Sequence, residues 1–216
     1  MPACVDCKHF DEGGQVCGYR SNRRDSPIRR CINAMLDAHM QKFSGNLLEI
    51  GYGKNRHLRR RLSGNTVWHG TDPRWHNPKM NAPIGSSDDI PFGDQYFDVV
   101  VCSQTMEHWG DTSVIERSLI EIKRVIKMGG LLHVNVPMLS HGDSIFVKAD
   151  SDAIRRLFSD GWEIVHWEEW RKDYAPLEPH KAFGRRKQEV YDSYESCGQD
   201  EPSSWVLDVN VRRVQM

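Results

Sequence analysis

The sequence predicts an α/β fold built on a mostly parallel sheet, on three observations. From Asn46 onward short apolar segments alternate with helical stretches, as strands joined by crossover helices do. The first apolar segment runs directly into a glycine-rich turn, Gly51-Tyr52-Gly53. The chain is also long enough, at 216 residues with 38% hydrophobic and 27% charged, to bury a core without disulfide staples, and too apolar for general disorder.

The elements follow in order. Asn46 to Ile50 is a first strand, and the basic stretch after the turn is a helix with Leu58 and Leu62 on one face. Thr66 to Gly70 is a second strand, ending at Thr71-Asp72. Residues 73 to 90, rich in Pro, Asn, Gly and Ser, hold at most one short strand. Phe97 to Cys102 is the clearest buried strand. Ser113-Val114-Ile115-Glu116 fits a capping box, Ile115, Leu119, Ile122 and Ile126 recur at helical spacing, and Gly129-Gly130 supplies the stop. Leu131 to Val136 is a strand closed by Pro137, Asp152 to Phe158 is a helix, and Trp162 to Trp167 is another strand. In the last strand Trp205, Leu207, Val209 and Val211 face one way, and Val206, Asp208 and Asn210 the other.

Four of the six cysteines crowd the first 31 residues, which divides the chain into a small module at 1–32 and an α/β domain at 33–216. Cys4-x2-Cys7-x9-Cys17-x13-Cys31 offers four soft ligands on a segment too poor in apolar residues to fold unaided. Zn(II) is the first expectation for this set and a [4Fe-4S] cluster the alternative.

Charge and targeting signals narrow the function. Lys plus Arg number 29 against 30 Asp plus Glu, a net charge of -1, so broad phosphate binding is disfavoured. Arg20, Arg23, Arg24, Arg29 and Arg30, with Lys54, Arg56 and Arg59-Arg60-Arg61, keep a nucleic-acid acceptor as a rival. No apolar run is long enough to span a membrane, and the N-terminus lacks the apolar core of a signal peptide. A cytoplasmic protein with reduced cysteines is expected.

The turn after the first strand points to a nucleoside-bearing ligand. Glycines there let the backbone approach a ligand closely, and Asp72 ends the next strand 23 residues after Glu49, where a carboxylate accepts hydrogen bonds from ribose hydroxyls.

Over about residues 40 to 170 the chain resembles the class I S-adenosylmethionine-dependent methyltransferases, in particular the type-11 group. The resemblance rests on Leu48-Glu49-Ile50-Gly51-Tyr52-Gly53, on Gly70-Thr71-Asp72, and on Ile90-Pro91-Phe92-Gly93-Asp94-Gln95-Tyr96-Phe97-Asp98-Val99-Val100. Met106-Glu107-His108-Trp109 and Val125-Ile126-Lys127-Met128-Gly129-Gly130-Leu131-Leu132 extend it. It implies a Rossmann-like, mostly parallel seven-stranded sheet with a late antiparallel strand, and S-adenosylmethionine as cofactor. Carried over residue by residue, Gly51 and Gly53 line the methionine part, Glu49 helps place its amino group, and Asp72 holds the ribose. Ser86 or the displaced Asp88 meets the adenine, while Ser103 and Gln104 border the methionine and the substrate mouth. The sequence departs from the family at Lys54 and Asn55, where a small residue and a third glycine are usual, and at Tyr52, which adds bulk to the loop.

A sulfonium methyl is already electrophilic, so catalysis needs alignment more than a nucleophile. His108, His141 and Asp143 are candidate bases for a hydroxyl acceptor, each with a packing or solvated-loop role as the plainer reading. Cys102-Ser103-Gln104-Thr105 is not the Asn/Asp-Pro-Pro-aromatic motif of enzymes that methylate exocyclic amines of bases. The expected function is methyl transfer to a small-molecule or sugar-like acceptor. RNA or DNA modification and non-catalytic cofactor binding are the alternatives.

Overall fold

The computed structural model describes residues 32, 36–37, 39–53, 58–77, 82–138, 143–147, 150–170 and 205–215. Cys4, Cys7, Cys17 and Cys31, His141, Lys54 and Asn55 lie outside the described residues, as does the stretch 171–204.

Six strands form one mixed sheet: β1 (Gly45–Ile50), β2 (Thr66–Thr71), β3 (Phe97–Ser103), β4 (Ile126–Met138), β5 (Trp162–Trp170) and β6 (Trp205–Arg213). Their order is β2-β1-β3-β4-β6-β5. The first four run parallel to one another, and β6 runs antiparallel to its two neighbours, β4 and β5. The architecture is therefore the α/β Rossmann-like one, with the antiparallel strand late, as expected. The seventh strand is not found among the described residues. Residues 73 to 90 contribute instead a single parallel bridge, Asp72 to Ile84, at the edge of β2.

Two cores flank the sheet. On one face Leu48, Ile50, Val100, Cys102, Leu132, Val134, Leu207 and Val209 pack against helix α1 (Thr112–Val125) and helix α3 (Ser151–Leu157). Helix α1 presents Ile115, Leu119, Ile122 and Val125 at helical spacing, all buried, and each such side chain contributes about 1.5–3 kcal/mol. On the other face Leu47, Val99, Val101 and Val206 meet Ile32, Leu36, Met40 and Phe43. Ile32, Leu36 and Met40 have helical backbone, and their spacing of four places them on one stripe. Leu58 is buried in this second core, and the basic stretch beside it is a short 3-10 turn at Arg59–Arg61.

Both ends of α1 differ from the sequence-based expectation. Asp111, not Ser113, caps the start: its Oδ1 accepts from Ser113 N at 3.0 Å and Val114 N at 3.2 Å. The helix stops at Val125, before the glycine pair, because Gln95 N and Tyr96 N donate to the carbonyls of Arg124 and Val125. A distant turn thus takes the last carbonyls, and Ile126 already belongs to β4. Strand β4 also continues through Pro137 to Met138. Its partner β3 ends at Ser103, opposite Asn135, so Pro137 lies beyond the parallel ladder and costs it no bond.

Arg124 fastens the Pro91-Phe92-Gly93-Asp94 turn to α1 with all five of its donors. Nε reaches Glu121 Oε1, Nη1 reaches Phe92 O and Asp94 Oδ1, and Nη2 reaches Ile90 O and Glu121 Oε2, at 2.8–2.9 Å. An ammonium cannot reproduce this planar fork. Arg124→Lys is expected to cost about 1–2 kcal/mol, the side chain being partly exposed. A urea midpoint unchanged from wild type would contradict this.

Candidate functional site

In open α/β sheets ligands gather beyond the carboxyl ends of the strands, where the strand order reverses. Here the reversal lies between β1 and β3, since β1 is followed by β2 on one side and by β3 on the other. Four expected residues, Glu49, Gly51, Gly53 and Asp72, meet there, with Ser103 and Gln104 across the gap.

Gly51 sits at φ 74°, and its N–H donates to Thr71 O at 2.7 Å. A Cβ on it would stand 2.2 Å from Thr105 Cγ2. The β1 turn therefore lies directly on the segment leaving β3, and only glycine allows both the angle and the approach. Gly53, at φ 56°, has open space where a side chain would project. That opening is a surface on which a ligand can rest against backbone.

Asp72 is 5% exposed and already heavily used. Its Oδ2 accepts from Gly53 N at 3.1 Å, and its Oδ1 from Arg74 N at 2.8 Å and Trp75 N at 3.2 Å. A carboxylate accepts about four hydrogen bonds, so roughly one position remains, on Oδ2. One further donor can bond Asp72 there without disturbing these three. A second requires Gly53 N to let go.

Glu49 faces the second core at 8% exposure. Burial pushes its carboxyl up to about 7, only partly offset by the hydrogen bond from Trp68 Nε1 at 2.8 Å. Trp68 meets Tyr52 edge to face, ring centroids 5.6 Å apart, and the Tyr52 hydroxyl donates to Trp75 O at 2.8 Å. A Cβ on Gly70 would stand 2.6 Å from the Trp68 ring and 2.8 Å from that of Tyr52. The bulk of Tyr52 is thus taken up over Gly70, within the core.

Gln104 holds a left-handed conformation, φ 57°, unusual for a side-chain-bearing residue. Its backbone N–H and side-chain amide are both tied to Asn135, at 2.7 Å to the carbonyl and 2.9 Å to Oδ1. Asn135 Nδ2 in turn donates to Asp208 Oδ1 at 3.2 Å. Strain kept in place by such bonds is common at ligand sites. Ser86 and Asp88 are bonded to each other, Ser86 Oγ to Asp88 Oδ1 at 2.7 Å, with Arg117 3.7 Å from Asp88. The two adenine candidates form one group.

Of the candidate bases, His108 and Asp143 are among the described residues. His108 ends the short turn Met106–His108, 56% exposed and 3.7 Å from the buried Glu107. Asp143 heads the short helix α2 (Ser144–Val147), accepting from Ile145 N at 3.0 Å, and Thr112 Oγ1 at 3.4 Å joins it to α1. Trp167 packs against the first core with Arg155 4.2 Å above its ring. Sequence reading missed a polar group on the sheet, the buried His133 and Asp208 with the partly exposed His39 and His166. Its one signal was polar residues at inward positions of β4 and β6.

A family profile described as a methyltransferase domain matches residues 62–134. No curated protein matches the chain. Among solved structures it is similar to the N-methyltransferase NodS from Bradyrhizobium japonicum in complex with S-adenosylhomocysteine. That match has TM-score 0.57 and 12% identity, over 88% of this chain and 90% of that one. It is similar also to a geranyl diphosphate methyltransferase in complex with S-adenosylmethionine, at TM-score 0.56 and 10% identity over 86% of each chain. A third is the [4+2]-cyclase SpnF, at TM-score 0.54 and 15% identity, over 87% of this chain and 82% of that one. Identities this low speak for the fold.

Proposed function

We propose that this chain transfers a methyl group from S-adenosylmethionine to a small-molecule or sugar-like acceptor. The observation that carries the reading is the convergence of Glu49, Gly51, Gly53 and Asp72 on the sheet's switch point. The donor set fits the cofactor: an open glycine backbone, a buried carboxylate for an ammonium, and a second carboxylate with room for a hydroxyl. Asp72 would hold the ribose, Glu49 the amino group, the Ser86–Asp88 pair the adenine amine, and Gly51 and Gly53 the methionine chain. When bound, the cofactor supplies an electrophilic methyl on a sulfonium. The protein's part is to align donor and acceptor and keep water out, which can lower a barrier by several kcal/mol. A near-neutral net charge of -1 favours a small acceptor over a polyanion. Cys4, Cys7, Cys17 and Cys31 are proposed as a separate module holding Zn(II) or a [4Fe-4S] cluster.

The test is calorimetric titration with S-adenosylhomocysteine, followed by transfer of labelled methyl from S-adenosylmethionine to a panel of small hydroxylated and aminated acceptors and to RNA. Binding with transfer to a small acceptor is expected. Transfer to RNA alone would overturn the acceptor class. Binding without any transfer would favour a cofactor-sensing role, as the departures at Lys54 and Asn55 allow. Absence of binding would remove the cofactor.

A further inference from the structure

We propose that His39, His133 and Asp208, with His166 as fourth donor, bind a single divalent ion of the zinc type between β4, β5, β6 and the helical residues before β1. The site uses none of the glycine-turn residues and none of the four N-terminal cysteines as ligands, and stands whether or not the cofactor reading holds.

Three ligand atoms, one each from His39, His133 and Asp208, lie within 4.8 Å of one another. His39 Nε2 is 2.9 Å from Asp208 Oδ2, His166 Nε2 is 3.3 Å from the same oxygen, and His133 Nε2 is 3.5 Å from Asp208 Oδ1. Ligands about 2.05 Å from a tetrahedral ion stand about 3.3 Å apart along each edge. The three contacts to Asp208, 2.9–3.5 Å, bracket that figure, His133 meeting the other carboxylate oxygen, and the wider pairs, within 4.8 Å, close in on the ion.

The buried side of the group points to a cation more directly. His133 and Asp208 are both 0% exposed. His133 Nδ1 lies 2.8 Å from Asn210 Oδ1, an acceptor, so the ring proton sits on Nδ1. Nε2 then carries a lone pair, makes no hydrogen bond and faces a carboxylate oxygen. Two electron-rich atoms held face to face without a proton are costly to bury. An ion between them answers both.

The surrounding residues are those a metal site needs. Asn210 orients His133 through its second nitrogen, and Asn135 Nδ2 donates to Asp208 Oδ1. His39 Nε2 donates its proton to Asp208 in the metal-free state. On binding, that proton shifts to Nδ1, and the 3.4 Å contact from Asn210 Nδ2 is given up. His39 and His166 are 13% and 27% exposed, which leaves a path inward on their side. Three imidazoles and one carboxylate suit zinc and leave no position for substrate. The ion would therefore clip the helical residues before β1 to the sheet.

The test uses zinc itself on the full chain. With Cys4, Cys7, Cys17 and Cys31 changed to serine, equilibrium dialysis is expected to find one zinc per chain. Zinc-edge X-ray absorption should show imidazole and oxygen at about 2.0–2.1 Å. His39→Ala, at a partly exposed position, is expected to weaken binding by about tenfold or more. In the wild-type background, the same change should lower the zinc content by one per chain whatever the cysteines hold, a readout that survives misfolding of the serine chain. Zinc content unchanged by His39→Ala, or a folded serine chain that binds none, would overturn the site. The group would then be a hydrogen-bonded network around Asp208.

Discussion

Replacing Glu49 by Gln is expected to stabilise the protein at pH 8, to leave it nearly unchanged at pH 4.5, and to weaken S-adenosylhomocysteine binding. The folded-state carboxyl titrates at about 7 against an ordinary value of 4.5, because burial disfavours the charged form. A raised carboxyl adds no penalty below pH 4.5. The wild type then loses stability as pH climbs from 4.5 to 7 and stays at the lower level above it. At about 1.36 kcal/mol per unit the loss is about 3 kcal/mol, roughly 5–10 °C for a chain of this size. Gln carries no such penalty and still accepts from Trp68 Nε1. Ligand affinity should respond in the opposite sense, because only ionised Glu49 pairs with an ammonium. Wild-type affinity is expected to rise by up to about tenfold per pH unit from pH 5.5 to 7 and then level off, while the variant stays flat. Parallel melting curves for the two proteins across pH 5 to 8 would sink the argument.

Asp72 offers the second large effect, divided between two substitutions. Asp72→Ala strands three backbone N–H groups, those of Gly53, Arg74 and Trp75. The expected cost is about 2–4 kcal/mol, since buried donors left unpaired cost about 1–3 kcal/mol each and the turn can partly relax toward water. Asp72→Asn is more informative. Its carbonyl oxygen can still serve Arg74 and Trp75, but its amide then points a donor at the Gly53 donor. The variant should keep most of the stability yet lose the closed turn and at least about tenfold in S-adenosylhomocysteine affinity. Equal affinity for wild type and Asp72→Asn in calorimetry would show that Asp72 holds the turn only.

The parts of the fold readable in advance were those whose patterns are local. Phe97 to Cys102 is apolar at every position but one, and the alternation from Trp205 to Val211 assigned Asp208 and Asn210 to the face opposite Leu207 and Val209. Helix boundaries failed where the deciding group was distant in sequence. Nothing near Val125 reveals that Tyr96 N will take its carbonyl. The switch-point residues were legible because glycine and aspartate carry chemistry in a short motif. The occupation of Asp72 by three amides was not, because it depends on how the chain turns after β2. The histidine group was hidden for a plainer reason. Its members are up to 169 positions apart, and each polar residue alone reads as solvent-facing. His133 and Asn135 were the available warning: they alternate with Leu132, Val134 and Val136 in a strand paired on both sides, where alternate positions have no water to face.

The place of β6 also sets the order in which this protein can be made. Of the six described strands it is the last to leave the ribosome, but it belongs between β4 and β5. The parallel block β2-β1-β3 has all its residues by position 103. Until residues 205–213 emerge, β4 and β5 each hold out an unpaired edge, with bare amides, carbonyls and apolar side chains. The nascent chain thus passes through a long interval of half-built sheet, the kind of species that chaperones retain and neighbouring chains capture.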